Sequence, residues 1–229
     1  MSAERKSNQI VRYEPATRIN HWIVAISFVL LALSGLALFH PALFWLTDLF
    51  GGGSWTRILH PFIGLVMVVM FAVLAAKMWR ENAMQPRDWQ WLRQFKDVVN
   101  KREEAVADVG KYNGGQKLLF YTIVLCIIGL LLSGIVIWRA YFAVYFPVEV
   151  IRFASLLHAF CGFVLICAII VHIYAAIWVK GSIKAMTQGT VSYAWARKHH
   201  TAWYEEVVDR EQGLARRASE RRDPDAPVA

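Results

Sequence analysis

The sequence has 229 residues, a hydrophobic fraction of 57% and a mean hydropathy of +0.37. It is too apolar for an ordinary soluble domain, in which about half of the residues are apolar, and it predicts an integral membrane protein. A formal net charge of +8 can indicate nucleic-acid binding. Here the positions of the basic residues indicate membrane topology instead, and we expect no nucleic-acid partner.

Four stretches are long and apolar enough to cross a bilayer as α-helices, which takes about 20 residues each. The first follows a polar start, is longer than a signal-peptide core and is not followed by a small-residue cleavage pattern, so we expect it in the mature protein. Together they predict an all-α fold, a four-helix bundle in the membrane, with one domain over residues 1–208. The predicted spans are 22–39, 58–76, 118–137 and 153–179.

The basic residues up to residue 198 are divided very unevenly between the two sides of these spans. Seventeen lie before span one, between spans two and three, or after span four. Only Arg57, Arg139 and Arg152 lie in the other two loops. By the positive-inside rule, both termini and the long middle loop are predicted to be cytoplasmic.

Spans two and four begin with nearly the same sequence, LHPFIG at 59–64 and LHAFCG at 157–162. Each puts a histidine, His60 or His158, at the start of an apolar run. An ionisable side chain in a membrane helix is costly and marks a functional site by default. The glycine four residues later, Gly64 or Gly162, lies on the same helix face and leaves room for a flat, bulky group.

Spans one and three also end alike, with LSG at 33–35 and at 132–134. From Ser34 to His60 is 26 residues, and from Ser133 to His158 is 25. Together with the LHxFxG pair, this predicts two similar helix hairpins related by an axis along the membrane normal. Coincidence among apolar residues is the alternative.

Depth in the membrane divides four histidines into two pairs. His60 and His158 each begin a helix that runs inward from the periplasm, whereas His21 begins one that runs outward from the cytoplasm. His172 follows His158 by 14 residues, which is about 21 Å of helix with both side chains on nearly the same face. The pairs His60 with His158 and His21 with His172 predict two bis-histidine haems that transfer electrons and have no open position for oxygen.

Plainer interpretations exist for each histidine. His21 and His60 could anchor helix starts at the membrane interface, and His172 could hydrogen-bond a neighbouring helix. A haem-free membrane anchor and a histidine-based proton or ion transporter are therefore alternatives, although the spans lack the carboxylates of a typical relay. We expect the remaining histidines to lie in a loop or in solvent and all cysteines to pack in the apolar core; these residues are His40, His199, His200, Cys126, Cys161 and Cys167.

Three polar segments connect or follow the spans. The middle loop is predicted to be partly helical and ends in KYNGGQK at 111–117, a turn signal at the mouth of span three. This turn could donate hydrogen bonds to a quinone, or it could merely start the helix. Residues 190–208 mix aromatic and charged residues and predict an interfacial helix. Residues 209–229 contain five basic and five acidic residues and no aromatic residue, which predicts disorder.

Residues 18–22 (RINHW) and 33–41 (LSGLALFHP) resemble the gamma subunit of membrane-bound respiratory formate dehydrogenases, a four-helix dihaem cytochrome b. The resemblance covers roughly residues 10–205 and includes the histidine pair of span four. It implies that His60 and His158 ligate the iron of a periplasmic-side haem b, and His21 and His172 that of a cytoplasmic-side haem b. It also implies a quinone, menaquinone or ubiquinone, next to the cytoplasmic-side haem; the quinone residues are Asn113, Gly115, Gln116 and His172.

The resemblance implies a place in an assembly of the bacterial inner membrane. Electrons would come from an iron–sulfur beta subunit, supplied by a molybdenum or tungsten catalytic alpha subunit, and a higher oligomer of this heterotrimer is compatible with it. This chain would then carry electrons and reduce quinone without acting on formate itself. Related cytochromes serve nickel–iron hydrogenases and other molybdenum oxidoreductases, so these partners are the alternative.

Overall fold

The computed structural model describes residues 8–100 and 108–222, and four of its helices are long and apolar enough to cross a membrane. Each begins four to seven residues before the corresponding predicted span, because the helix extends beyond the uninterrupted apolar run. The first helix, for example, starts at a proline, whose fixed φ suits the first helical position. The helices are α1 (Pro15–Phe39), α2 (Gly53–Met78), α5 (Gly114–Ile137) and α6 (Val148–Trp178), with the shorter α3 (Pro86–Arg93) and α4 (Phe95–Val99) between α2 and α5.

The four long helices form two hairpins. A 3₁₀ segment, Pro41–Phe50, joins α1 to α2, and residues 138–147, with the 3₁₀ turn Ala143–Tyr145, join α5 to α6. Helices suit the membrane because they satisfy their own backbone hydrogen bonds where no water is present. The hairpin arrangement agrees with the repeat that the sequence predicts.

Contacts within the chain define two compact units, where the sequence predicts one domain over 1–208. The membrane unit comprises residues 13–82 and 118–189. Its core cluster is Met67, Cys126, Ile127, Cys161 and Leu165. Large apolar side chains on the outside of the helices are exposed, as expected of a lipid-facing surface.

Close helix packing accounts for part of this core. A Cβ atom on Gly129 of α5 would lie 2.7 Å from Cys161 Sγ on α6, so only glycine allows this approach. Cys126 and Cys161 are buried, as predicted. The prediction is wrong for Cys167, which is exposed, because it lies on an outward face of α6.

The described residues of the second, smaller unit are 8–12, 83–100, 108–117 and 190–222. It contains α3 and α4, so the middle loop is partly helical as predicted. It also contains a feature that an all-α prediction misses, a short antiparallel pair of strands, β1 (Gln9–Val11) and β2 (Thr190–Ser192). After α7 (Ser182–Gln188), the chain continues through β2 into α8 (Tyr193–His199) and α9 (Thr201–Arg222).

The end of the chain differs from its predicted disorder. Helix α9 continues through Arg222, so residues 209–222 are helical, and only 223–229 of the predicted tail lie outside the described residues. The segment is rich in good helix formers, Ala, Leu, Glu, Gln and Arg. Just before the segment, Glu206 lies four residues ahead of Arg210, a favourable order on a helix surface. High charge and a lack of aromatic residues therefore did not prevent helix formation.

His200 is buried in the smaller unit, so the prediction that it faces solvent is wrong. Its Nδ1 lies 2.8 Å from the carbonyl of Gly110, and its Nε2 lies 3.3 Å from Nη2 of Arg12. Trp195 and Trp203 flank Arg12, with ring centres 5.2 and 4.9 Å from its guanidinium carbon. Burial and the Arg12 charge lower the pKa of His200 from 6.5 to about 3, so the ring is neutral and structural. His40 lies in the predicted loop, where its Nδ1 accepts a hydrogen bond from Ala42 N.

Candidate functional site

The first histidine pair joins the two hairpins. His60 on α2 and His158 on α6 have ring centres 6.3 Å apart, at an interplanar angle of 62°. Both lie in the N-terminal half of their helices, where the two LHxFxG segments occupy equivalent positions in the repeat. We call His60 and His158 the first pair.

The second pair joins the start of α1 to the C-terminal half of α6. His21 and His172 have ring centres 6.4 Å apart, at an interplanar angle of 49°. His172 lies on the same helix as His158, about 21 Å further along it. The structure thus brings the four histidines together in the two combinations that depth matching predicts, and we call His21 and His172 the second pair.

Both separations suit two imidazoles on opposite sides of one metal ion. A metal–imidazole bond is about 2.0–2.1 Å long and the ring centre lies about 1 Å behind the bonding nitrogen, so two such rings have centres roughly 6 Å apart. The observed 6.3 and 6.4 Å agree with this value. A haem needs only two axial ligands from the protein, since the porphyrin supplies the others.

Serines at equivalent positions hold the first pair. Ser34 Oγ lies 2.7 Å from Nδ1 of His60, and Ser133 Oγ lies 3.0 Å from Nδ1 of His158. Each hydroxyl also has a short contact to a backbone carbonyl of its own helix, 2.7 Å to Leu30 and 2.6 Å to Gly129. If the hydroxyl donates to that carbonyl, its oxygen accepts from the Nδ1–H of the histidine. This leaves Nε2 with a free lone pair, which is the form that ligates a metal.

These serines carry a role that was not assigned from the sequence. The LSG repeat contained the signal, because Ser34 and Ser133 lie 26 and 25 residues before an intramembrane histidine. The following glycines belong to the same arrangement. A Cβ on Gly35 would lie 3.4 Å from Cε1 of His60, and one on Gly134 would lie 3.3 Å from Cε1 of His158, so both glycines lie against the histidine rings.

The predicted clearance after the first-pair histidines agrees with the structure. A Cβ on Gly64 would meet only Leu31, at 3.9 Å, and one on Gly162 only Leu130, at 4.0 Å. A methyl group would therefore fit at each of these glycines in ordinary van der Waals contact.

The sequence model of the family described as prokaryotic cytochrome b561 matches residues 12–189. The chain belongs to the prokaryotic cytochrome b561 family. As a cytochrome b it binds haem b, and the paired histidines are the residues that fit this group. Its four apolar helices and its prokaryotic family place it in the bacterial inner membrane.

Individual relatives in this family are subunits of one kind of enzyme. The cytochrome is 46% identical over 215 residues to the nitrate-inducible formate dehydrogenase cytochrome b556(Fdn) subunit of Escherichia coli K12, covering 94% of this chain and 98% of the relative. It is 46% identical over 203 residues to the formate dehydrogenase cytochrome b556(fdo) subunit of the same organism, covering 89% and 95%. It is 44% identical over 200 residues to the formate dehydrogenase cytochrome b556 subunit of Haemophilus influenzae, covering 87% and 84%. These likenesses confirm the resemblance predicted from the RINHW and LSGLALFHP segments.

The turn before α5 forms a capping box in the cytochrome. Gln116 N donates to Asn113 Oδ1 at 2.8 Å, and Asn113 N donates to Gln116 Oε1 at 3.0 Å. The two glycines between them allow α3 to pack closely, because a Cβ on Gly114 would lie 2.5 Å from Asp88 O and one on Gly115 would lie 3.0 Å from the Trp91 ring. Helix capping and packing thus account for this sequence, while the side-chain amide nitrogens of Asn113 and Gln116 are not used by the box.

Proposed function

We propose that this cytochrome is the dihaem membrane subunit of a formate dehydrogenase and that it carries electrons across the membrane to quinone. The observation that carries the proposal is the presence of two histidine pairs, with ring centres 6.3 and 6.4 Å apart, in a chain 46% identical to formate dehydrogenase cytochrome b556 subunits. Each pair would bind the iron of one haem b, which supplies one-electron transfer when bound.

The two histidine pairs lie toward opposite sides of the membrane, so electrons would move from the periplasmic side to the cytoplasmic side. The first pair lies toward the ends of α2 and α6 that the positive-inside rule assigns to the periplasm, and the second pair toward the cytoplasm. Electrons would come from an iron–sulfur subunit, supplied by a molybdenum or tungsten catalytic subunit. Quinone would be reduced on the cytoplasmic side, where it takes protons from the cytoplasm. Formate oxidation outside and quinone protonation inside would contribute to a transmembrane potential.

Purification of the cytochrome with its partners tests this assignment. We expect mass spectrometry of the complex to identify a molybdopterin subunit and an iron–sulfur subunit, and the reduced-minus-oxidised spectrum to show a b-type haem. A nickel–iron subunit in their place would support the hydrogenase alternative and contradict the proposal. Purified complex without a Soret band would instead support a haem-free anchor.

We expect both termini to be cytoplasmic. A reporter that is active only in the periplasm should be silent when fused to the C terminus, because the basic residues lie on that side. The matched control is the same reporter fused after residue 51, between α1 and α2, where it should be active. Strong activity of the C-terminal fusion would contradict the proposed topology.

We expect the turn before α5 to take part in quinone turnover, with Asn113, Gly115, Gln116 and His172 as the quinone residues. The capping box determines the design of the test, because Asn113→Ala would remove a helix cap as well as a hydrogen-bond donor. Asn113→Asp and Gln116→Glu keep the oxygens that the box uses and replace each side-chain NH₂ group with a carboxylate oxygen, which also adds a negative charge. Loss of one hydrogen bond to a quinone oxygen, about 0.5–1.5 kcal/mol, should slow quinone turnover by roughly twofold to tenfold.

Both variants should retain the haem spectra and reduction by the upstream donor. Gln90→Glu, at an exposed position of α3 in the same unit, introduces an equal charge and should leave turnover unchanged. If Asn113→Asp and Gln116→Glu both turn over quinone like the unaltered protein, the turn only starts the helix.

A further inference from the structure

We propose that Ser34 and Ser133 are positioning residues that lower the reduction potential of the haem held by the first pair relative to the haem held by the second pair. The inference rests on the proposed function, since it requires that both pairs bind haem. It adds a reason for electrons to move from the first pair toward the second.

The first observation is that a serine–histidine contact occurs in both hairpins, although His158 also has a hydrogen bond with the Leu130 backbone. In both hairpins the LSG serine faces Nδ1 of the next intramembrane histidine, at 2.7 Å for His60 and at 3.0 Å for His158. Both members of the first pair are therefore held from behind by a hydroxyl. Two ligands of one iron would be modified in the same direction, so their effects would add.

The second observation is the burial of these hydroxyls. Ser34 is 0% exposed and Ser133 is 2% exposed. Water does not compete for these hydrogen bonds, and a low local dielectric strengthens them. Each hydroxyl also contacts a backbone carbonyl of its own helix, and this contact fixes the direction in which its oxygen faces the ring.

The third observation is the contrast with the second pair. In the part of the chain that the structure describes, Nδ1 of His21 is buried and has no hydrogen-bond partner. The His21 ring contacts Trp22 edge to face, with centres 5.5 Å apart. The two pairs are thus alike in ring separation, whereas the serine contact that both first-pair histidines have at Nδ1 has no equivalent at His21.

A hydrogen bond from the outer ring nitrogen makes an imidazole a more basic ligand. A more basic ligand stabilises the oxidised iron, which carries the higher charge, and so lowers the reduction potential. With this bond on both histidines of the first pair, that haem should have the lower potential of the two. Electrons that arrive at the first pair would then move downhill in energy to the second.

Redox titration of the purified, haem-loaded complex tests the inference. Ser34→Ala and Ser133→Ala should each raise the potential of one haem and leave the other unchanged, and both should act on the same haem. The double variant should raise that potential further. Ser34→Thr and Ser133→Thr retain the hydroxyl and should stay close to the unaltered protein. His21→Ala, which should retain only the first-pair haem, provides a background in which the shifted component is identified directly.

Thr122→Val is the matched control, because the Thr122 hydroxyl contacts the Leu118 carbonyl of the same helix as Ser133, at 3.0 Å. It should change neither potential. Loss of one haem from an alanine variant, with retention in the threonine variant, would support the positioning role. The inference would be overturned if the alanine variants bind two haems with unchanged reduction potentials, shift both potentials equally, or lower the potential. It would also be overturned if the threonine variants behave like the alanine variants. Each of these results would leave the proposed function standing. A complex without haem would overturn both.

Discussion

His60→Ala and His158→Ala should each remove the same haem and leave the other in place. Their ring centres are 6.3 Å apart, so under the proposed function both would bind the iron of one haem, and a haem held by a single histidine should be lost or become high-spin. His21→Ala and His172→Ala should remove the second haem for the same reason, with ring centres 6.4 Å apart. Haem content per chain and the low-spin spectrum of each variant measure the effect.

The matched control is His40→Ala. His40 lies in the loop after α1, where its ring accepts a hydrogen bond from Ala42 N, and its loss should leave both haems bound. If His21→Ala removed the haem that His60→Ala removes, the division into two pairs would be refuted.

Asp88→Ala should strongly destabilise the smaller unit. Asp88 Oδ2 lies 2.6 Å from Nζ of Lys117, and both side chains are 4% exposed. Lys117 also donates to Ala83 O at 3.0 Å, and Asp88 also accepts from Gln85 N at 2.7 Å, so the pair connects the start of α3 to the start of α5. Removal of one partner leaves a buried, unpaired charge, which costs about 3–5 kcal/mol. Chemical unfolding of the purified protein in detergent measures this loss.

Two further variants test whether the loss of stability in Asp88→Ala comes from the buried, unpaired charge. Glu206→Ala breaks the exposed contact between Arg87 and Glu206, 3.9 Å long with side chains 33% and 57% exposed, and should cost at most about 1 kcal/mol. The double variant Asp88→Leu with Lys117→Met removes both charges and should recover much of the lost stability. If Asp88→Ala costs no more than Glu206→Ala, the buried pair does not stabilise the protein.

The long helices and the histidine pairs could be predicted because both depend on simple distances. Hydrophobic length determines the spans, and charge asymmetry predicts their direction. His158 and His172 lie on one helix, so their separation follows from the helical rise alone. A fold constrained by a bilayer leaves few ways to match histidines by depth, and the structure contains the two combinations that remained.

The interactions of Ser34 and Ser133 could not be predicted from the sequence, because they depend on how two helices face each other. A repeat indicates equivalent positions but does not say which atoms meet. The environment of His200 is a similar case. Its partners Gly110 and Arg12 are 90 and 188 residues away in the sequence, so only the fold brings them to the ring. A polar tail sequence therefore gave no sign that this histidine is buried.

Local interactions explain the remaining differences between the predicted and the observed secondary structure. Residues 209–222 combine a composition typical of disorder with good helix propensity, and propensity prevails in α9. Asn113 and Gln116 have the spacing of a capping box, which the turn interpretation of KYNGGQK did not include. The strands β1 and β2 are each three residues long, too short for a hydrophobic period to reveal.

Haem quantification tests the central claim, that two histidine pairs hold two haems, most directly. The chain has no CxxCH motif, so both haems are expected to be non-covalent and extractable. A pyridine haemochrome assay on the purified complex, normalised to this chain by quantitative mass spectrometry, should give about two b-type haems per chain by the pairing above. One haem per chain, or none, would contradict the account.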